Sequence, residues 1–268
     1  MIIFGLMFLS GCSFDQAKDS TKLETIQKKN VLRVAVSPDF APMEFIDANK
    51  SDQMQYVGFD IELAKYIASE LGVELFIDAM DFSSCQAAVS LGNVDISISG
   101  YAETAERAKN FILSDPYYAD DNNEQGILVL ASNLDALEIG TDFDGKLVSA
   151  QNASLQYNLL IEQLPNAEAN PIVDLNTAVL ELINGKVDGL CVAIANGEAF
   201  IENYPSLALS PFRFEVENEG NVILIKKGET DLEEVINKIL AKAYEQGLYT
   251  QWYSDAVALA KELGEITE

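Results

Sequence analysis

The 268-residue chain contains no histidine. It therefore lacks the commonest general base and metal ligand at neutral pH. Cations are scarce: 17 Lys and Arg stand against 43 Asp and Glu, a formal net charge of −26. Nucleic acid and anionic lipid would both repel such a chain, so neither is an expected partner. The acidity mainly implies solubility, with a secondary pull on cationic ligands. Cysteine is limited to Cys12, Cys85 and Cys191. Cys85 and Cys191 sit among apolar residues, the latter within Leu190-Cys191-Val192, and read as buried small hydrophobes, not a zinc site or redox pair. No metal or cofactor is expected. The apolar N-terminal run, Met1 to Gly11, is too short to span a bilayer as a stable helix.

That run is uncharged and stops at Leu9-Ser10-Gly11-Cys12, which resembles a bacterial lipobox, Leu-x-Gly-Cys. In that pattern cleavage precedes the cysteine and its thiol carries a diacylglycerol. Residues 1–11 are expected as a signal peptide, Cys12 as the lipid-modified mature N-terminus, and residues 12–29 as a polar, disordered tether. No Lys or Arg precedes the run, as a basic n-region would require, and a truncated start is expected on that ground.

Beyond the tether, periodicity switches between strand and helix. Val31 to Val36 is β-rich. Leu63, Ile67 and Leu71, with Ala64 and Ala68, form a helical stripe between a capping Asp60 and a terminating Gly72. Val73 to Ala79 alternates as a strand, a helix through Ala87, Ala88 and Leu91 ends at Gly92, and Val94, Ile96 and Ile98 form the next strand. This is βαβ grammar and indicates a parallel sheet. The second half repeats it: strand from Leu147 to Ala150, helices from Leu155 to Leu164 and Ala178 to Ile183, strand from Gly189 to Ile194. Gly92-Asn93-Val94-Asp95 has a counterpart in Gly185-Lys186-Val187-Asp188, so two similar lobes are expected. The turn-rich stretch Ser114 to Asn123 reads as a crossing between them. A strand from Val222 to Ile225 and two further helices, the first with Leu232, Val235, Ile236, Ile239, Leu240 and Ala243 on one face, suit a return to lobe one. The expected division is 30–116 plus 222–268 for lobe one and 122–216 for lobe two. Hinge crossings are expected at 117–121 and 217–221.

Four stretches in order resemble the family 3 solute-binding proteins, the polar amino-acid receptors of ABC importers. They are Leu32 to Phe45, with Pro38-Asp39-Phe40-Ala41-Pro42; Val57-Gly58-Phe59-Asp60-Ile61-Glu62-Leu63-Ala64; Met80-Asp81-Phe82 followed by Asp95 to Gly100; and Thr104-Ala105-Glu106-Arg107 followed by Phe111 and Ser114-Asp115-Pro116-Tyr117-Tyr118. The resemblance covers nearly everything from Val31 onward. It implies a two-lobed periplasmic-binding-protein-like α/β fold of type II, each lobe a mainly parallel sheet flanked by helices. It also implies a monomeric, non-catalytic receptor that is lipid-anchored on the extracytoplasmic side and delivers an amino acid or related small carboxylate to an ABC permease.

The same resemblance assigns roles. Arg107 matches the arginine that takes a ligand's α-carboxylate, for which the planar guanidinium supplies two parallel, charge-assisted hydrogen bonds. Phe40 and Phe82 match the aromatic pair that sandwiches the ligand. Backbone groups near Ser99, Gly100 and Ala102 are expected beside the head group, and Asn152 and Ser154, at a helix N-terminus, complete the carboxylate's shell. There are departures. Ala102 stands where the family usually has Ser or Thr, Ser37 where several members have Asp, and Ala193 where a carboxylate usually meets the ammonium. Either another acid takes that role, with Glu103, Asp39, Asp120 and Glu198 as candidates, or the ligand is not an ordinary α-amino acid. Two other readings stay open: a cyclohexadienyl dehydratase-like lyase on the same scaffold, and a ligand-sensing lipoprotein without a transporter.

Overall fold

The computed structural model describes residues 20–118, 124–216 and 220–266. The expected signal peptide and Cys12 lie outside these residues. The expected tether is corrected at its end, because Lys22–Lys29 is a helix, α1. A capping box starts it: Glu24 N donates to Thr21 Oγ1 at 3.2 Å and Thr21 N to Glu24 Oε2 at 3.1 Å. Lys28 and Lys29 occupy its last turn, and Ile26 is buried in the first core. A polar composition hid these signals.

The first half runs β1 (Val31–Val36), β2 (Phe45–Ile46), β3 (Tyr56–Val57), α2 (Phe59–Leu71), β4 (Glu74–Ala79), α3 (Phe82–Leu91), β5 (Ile96–Ser97), α4 (Ala105–Asn110) and β6 (Phe111–Leu113). The second comprises β7 (Gln125–Leu130), β8 (Leu147–Gln151), α5 (Leu155–Gln163), β9 (Glu168–Ile172), α6 (Leu175–Ile183), β10 (Gly189–Ala193), α7 (Ile194–Asn203) and β11 (Leu207–Arg213). Then come β12 (Leu224–Lys226), α8 (Thr230–Glu245) and α9 (Leu248–Leu263).

Two five-stranded sheets result, ordered β4-β1-β5-β12-β6 and β11-β7-β10-β8-β9. Three neighbouring strands of each are parallel, as the βαβ grammar requires: β4, β1 and β5 in one, β10, β8 and β9 in the other. The strands beside the passages between sheets, β12 and β7, pair antiparallel with both neighbours, so each sheet is mixed. The chain passes from the first sheet to the second between β6 and β7 and returns between β11 and β12. The two passages are bonded to each other: Tyr117 N donates to Asn221 O at 2.9 Å and Asn221 N to Tyr118 O at 2.6 Å. Residues 119–123 and 217–219 of the expected crossings lie outside the described residues.

The duplicated Gly-x-Val-Asp motif has a duplicated use. Asp95 Oδ2 accepts from Arg33 N at 2.8 Å, and Asp188 Oδ2 accepts from Leu147 N at 2.9 Å. Each carboxylate, just before the central strand of its sheet, thus ties that segment to the neighbouring strand, β1 or β8. Around the sheets, apolar faces pack into separate cores, one through Leu32, Val34, Ile67, Ile96 and Ile236, another through Ile127, Val148, Leu160 and Cys191. Each such side chain contributes about 1.5–3 kcal/mol of transfer free energy when fully buried.

One helix start differs from expectation, and another is not assigned by the periodicity. Gly58, not Asp60, precedes α2: its φ is 121°, and a Cβ there would lie 2.3 Å from Met43 O. Asp60 is fully buried instead. Helix α3 begins at Phe82, five residues before Ala87, because Asp81 Oδ1 accepts from Ser84 N at 2.9 Å and nucleates the turn.

Candidate functional site

Strand β5 stops at Ser97, because only Ile96 and Ser97 pair with both neighbours. The chain then leaves the sheet through Gly100, whose φ is 54°. A cavity of about 390 Å³ opens between the two sheets at that point. Phe40, Phe82, Ser99, Gly100, Ala102, Arg107 and Ser154 all line it.

Arg107 lies in the first turn of α4, where its N–H donates to the capping Thr104 Oγ1 at 3.1 Å. Its side chain is 6% exposed. Nη1 donates to Ala102 O at 2.6 Å and Nη2 to Ala153 O at 3.2 Å, so the guanidinium spans both sides of the cavity. Its Cζ lies 5.3 Å from the Tyr101 ring centroid and 5.7 Å from that of Phe82. No carboxylate among the described residues pairs with it. Burial lowers its pKa to about 10, which leaves it charged at neutral pH. A buried cation without a counter-ion is costly, and an anion entering the cavity relieves that cost.

The Phe40 ring presses on the glycine of the strand exit: a Cβ on Gly100 would meet Phe40 Cε1 at 2.9 Å. Phe40 also packs against the second lobe's core beside Leu175 and Val192. The Phe82 ring, at the first residue of α3, stands 4.8 Å from Tyr101, centroid to centroid. Across the cavity Ser154 caps α5, accepting from Tyr157 N at 3.0 Å. Asn152 does not line the cavity and is exposed. Its neighbour Gln151, the last residue of β8, points inward instead, since successive strand residues face opposite ways.

Of the acids considered as ammonium partners, Asp39 and Glu198 line the cavity. Glu103 does not; its N–H donates to Gly220 O at 2.9 Å. Asp120 lies outside the described residues. Asp39 accepts from Ser37 Oγ at 2.9 Å, from Gln151 Nε2 at 2.9 Å and from Leu175 N at 3.4 Å, and burial raises its pKa. Further bonds cross the cleft: Gln86 Nε2 to Ala153 O at 3.1 Å, Asn158 Nδ2 to Glu106 Oε2 at 2.6 Å and Asn196 Nδ2 to Ala41 O at 3.3 Å.

Sequence reasoning missed Glu44, Gln125, Gln151, Asn196, Glu202 and Lys261, all of which line the cavity. Glu44 carried a signal: it sits between Met43 and Phe45, in an apolar stretch just after Pro42. It is buried, as is Asp60. Ser99 Oγ donates to Glu44 Oε1; Gly100 N and Tyr117 Oη donate to Asp60 Oδ2 at 2.8 and 3.0 Å. Desolvation raises Glu44 well above the usual carboxyl range, and Asp60 to about 6.

A cavity enclosed between two α/β sheets, with paired passages behind it and a charged guanidinium inside, is the architecture of a two-lobed solute-binding receptor. This chain belongs to the bacterial extracellular solute-binding proteins, family 3, whose model matches residues 32–256. It is 26% identical over 253 residues to a probable histidine-binding protein of Campylobacter jejuni, covering 93% of each chain. It is 33% identical, with a TM-score of 0.80, to an amino acid ABC transporter substrate-binding protein of Streptococcus pneumoniae solved with L-arginine bound, covering 91% of this chain and 100% of that one. An ancestral amino acid-binding protein, a precursor of cyclohexadienyl dehydratase, is 28% identical with a TM-score of 0.74, covering 88% and 100%. The fold is the type II periplasmic-binding-protein architecture of these structures.

Proposed function

We propose that this chain is the substrate-binding protein of an ABC importer, held outside the cytoplasmic membrane by a lipid on Cys12, and that it closes around an amino acid. The observation that carries this reading is Arg107: buried, charged and without an anionic partner among the described residues, in a cavity of amino-acid size. The α-carboxylate takes the open edge of its guanidinium, with Ser154 and the α5 N-terminus opposite. Phe40 and Phe82 flank the side chain. The paired passages at Tyr118 and Asn221 act as the hinge between lobes of residues 30–116 with 222–268, and 122–216.

The acidic lining favours a cationic side chain. Asp39, Glu44, Glu198 and Glu202 border the cavity against Arg107 and Lys261. Two relatives support a cationic ligand: the pneumococcal structure holds L-arginine, and a putative arginine-binding protein of Escherichia coli is 26% identical over 226 residues. Titration calorimetry with L-arginine, L-histidine and L-cystine, backed by a thermal-shift screen of amino acids and small carboxylates, tests the reading. Binding of an α-amino acid supports it; a protein that binds no amino acid overturns it.

A further inference from the structure

We propose that Glu44, backed by Asp60, supplies the negative charge that receives the ligand's ammonium group. This rests on the amino-acid reading of the cavity and adds the partner that Ala193 does not provide. Four observations meet here. Glu44 lines the cavity, is 1% exposed, and keeps Oε2 without a hydrogen-bond donor; Asp60 Oδ1 is likewise unpartnered. The α-amino and α-carboxyl groups share one carbon, so the ammonium partner must stand beside the arginine. Ser99 Oγ joins Glu44 to the short segment whose Ala102 O accepts from Arg107.

The remaining acids fit less well. Asp39 already accepts bonds on both oxygens, two of its three donors coming from the second lobe, and Glu198 is exposed on α7. The titratable groups around Glu44 are Asp60, Asp39, Tyr101, Tyr117 and Cys85, and no Lys or Arg among the described residues forms an ion pair with it. Asp60 N donates to Met43 O, beside Glu44, at 2.9 Å, and the adjacent Ser99 and Gly100 donate to the two carboxyls, so the pair is held side by side. Two like charges buried side by side do not both ionise readily, so the pair holds one proton and one negative charge. A charge buried without a cation is costly, and the ligand's ammonium removes that cost when the cleft closes. The proton makes the site acid-sensitive: as pH falls through the lower step of the pair it becomes neutral and the counter-charge is lost.

The test uses whichever of L-arginine, L-histidine and L-cystine the unaltered protein binds, together with that compound's analogue lacking the α-amino group. Glu44→Gln is expected to weaken the amino acid on the order of thirty-fold or more while leaving the analogue's affinity unchanged. Affinity of the unaltered protein for the amino acid should decline from about pH 7.5 to about pH 5, and the decline should flatten in Glu44→Gln. A measurement without any variant runs in parallel. Calorimetry at about pH 6 in buffers of different ionisation heat should show proton release on binding the amino acid and none on binding the analogue. Equal affinity in Glu44→Gln, equal weakening of both compounds, an unchanged pH profile in the variant, or proton release with both compounds each overturns the inference. If the unaltered protein binds no amino acid, the proposed function falls and this inference with it.

Discussion

The Asp39 carboxylate and the Gln151 amide face each other across the cleft, with Nε2 donating to Oδ2 at 2.9 Å. The same oxygen accepts from Leu175 N, the first residue of α6, at 3.4 Å. One side chain from the loop after β1 thus reaches two elements of the second lobe, strand β8 and helix α6, and these bonds exist only while the lobes are together.

Asp39→Ala should therefore favour the open form. Two hydrogen bonds to a charged group are lost, each worth roughly 1.5–3 kcal/mol, and part returns as hydration in the open cleft. Ligand affinity is expected to fall about ten-fold or more, with little change in melting temperature of the unliganded protein. Small-angle scattering checks the cause: the variant should show a larger unliganded radius of gyration than the parent, and identical radii would count against a clamp.

Arg107→Lys keeps the charge but loses the planar fork. It should bind an amino acid more weakly than the parent, and Arg107→Ala more weakly still, by about 2–5 kcal/mol. Calorimetry decides; a parent-like dissociation constant in Arg107→Ala would leave the carboxylate site without its principal donor.

Phe40→Ala should lose affinity through packing while keeping the preference for carboxylated ligands, because the guanidinium is untouched. Gly100→Ala should be worse for stability. Its φ of 54° costs a non-glycine residue about 1–2 kcal/mol, and the added Cβ collides with the Phe40 ring at 2.9 Å. Thermal unfolding of both variants gives the comparison, and a Gly100→Ala protein as stable as the parent would refute the strain.

Stability should rise on mild acidification, the reverse of the usual carboxylate effect. Glu44 and Asp60 have folded-state pKa values above their unfolded ones, Asp60 at about 6 against 3.8. Between those values the folded state binds more protons than the unfolded, so unfolding free energy falls as pH rises through the window. The melting temperature of the unliganded protein should increase from about pH 7 to about pH 5. Glu44→Gln should raise it at neutral pH and flatten the slope, since one of the two neighbouring titrating carboxyls is gone. A variant less stable than the parent at neutral pH, with the slope intact, would place the effect elsewhere.

Much of the architecture was legible because it is local. The apolar stripe of α2, the alternation of β4 and the repeated Gly-x-Val-Asp preceding β5 and β10 depend on residues within a turn or two of each other. Arg107, Phe40, Phe82 and Ser154 could be placed through the resemblance, because short motifs fix them. The tether was misread at its end: a capping box and one buried isoleucine outweigh a polar composition once Ile26 has a core to enter. What only the tertiary structure decided is which side chains converge from distant segments. Gln151, not Asn152, faces the cavity because the end of β8 sets the register. Asp60 is an acceptor for Gly100 and Tyr117, not a helix cap, because α2 starts at Gly58. The pairing of Glu44 with Asp60 behind Ser99 joins three segments far apart in the chain, and burial, which sets their ionisation, belongs to the assembled fold.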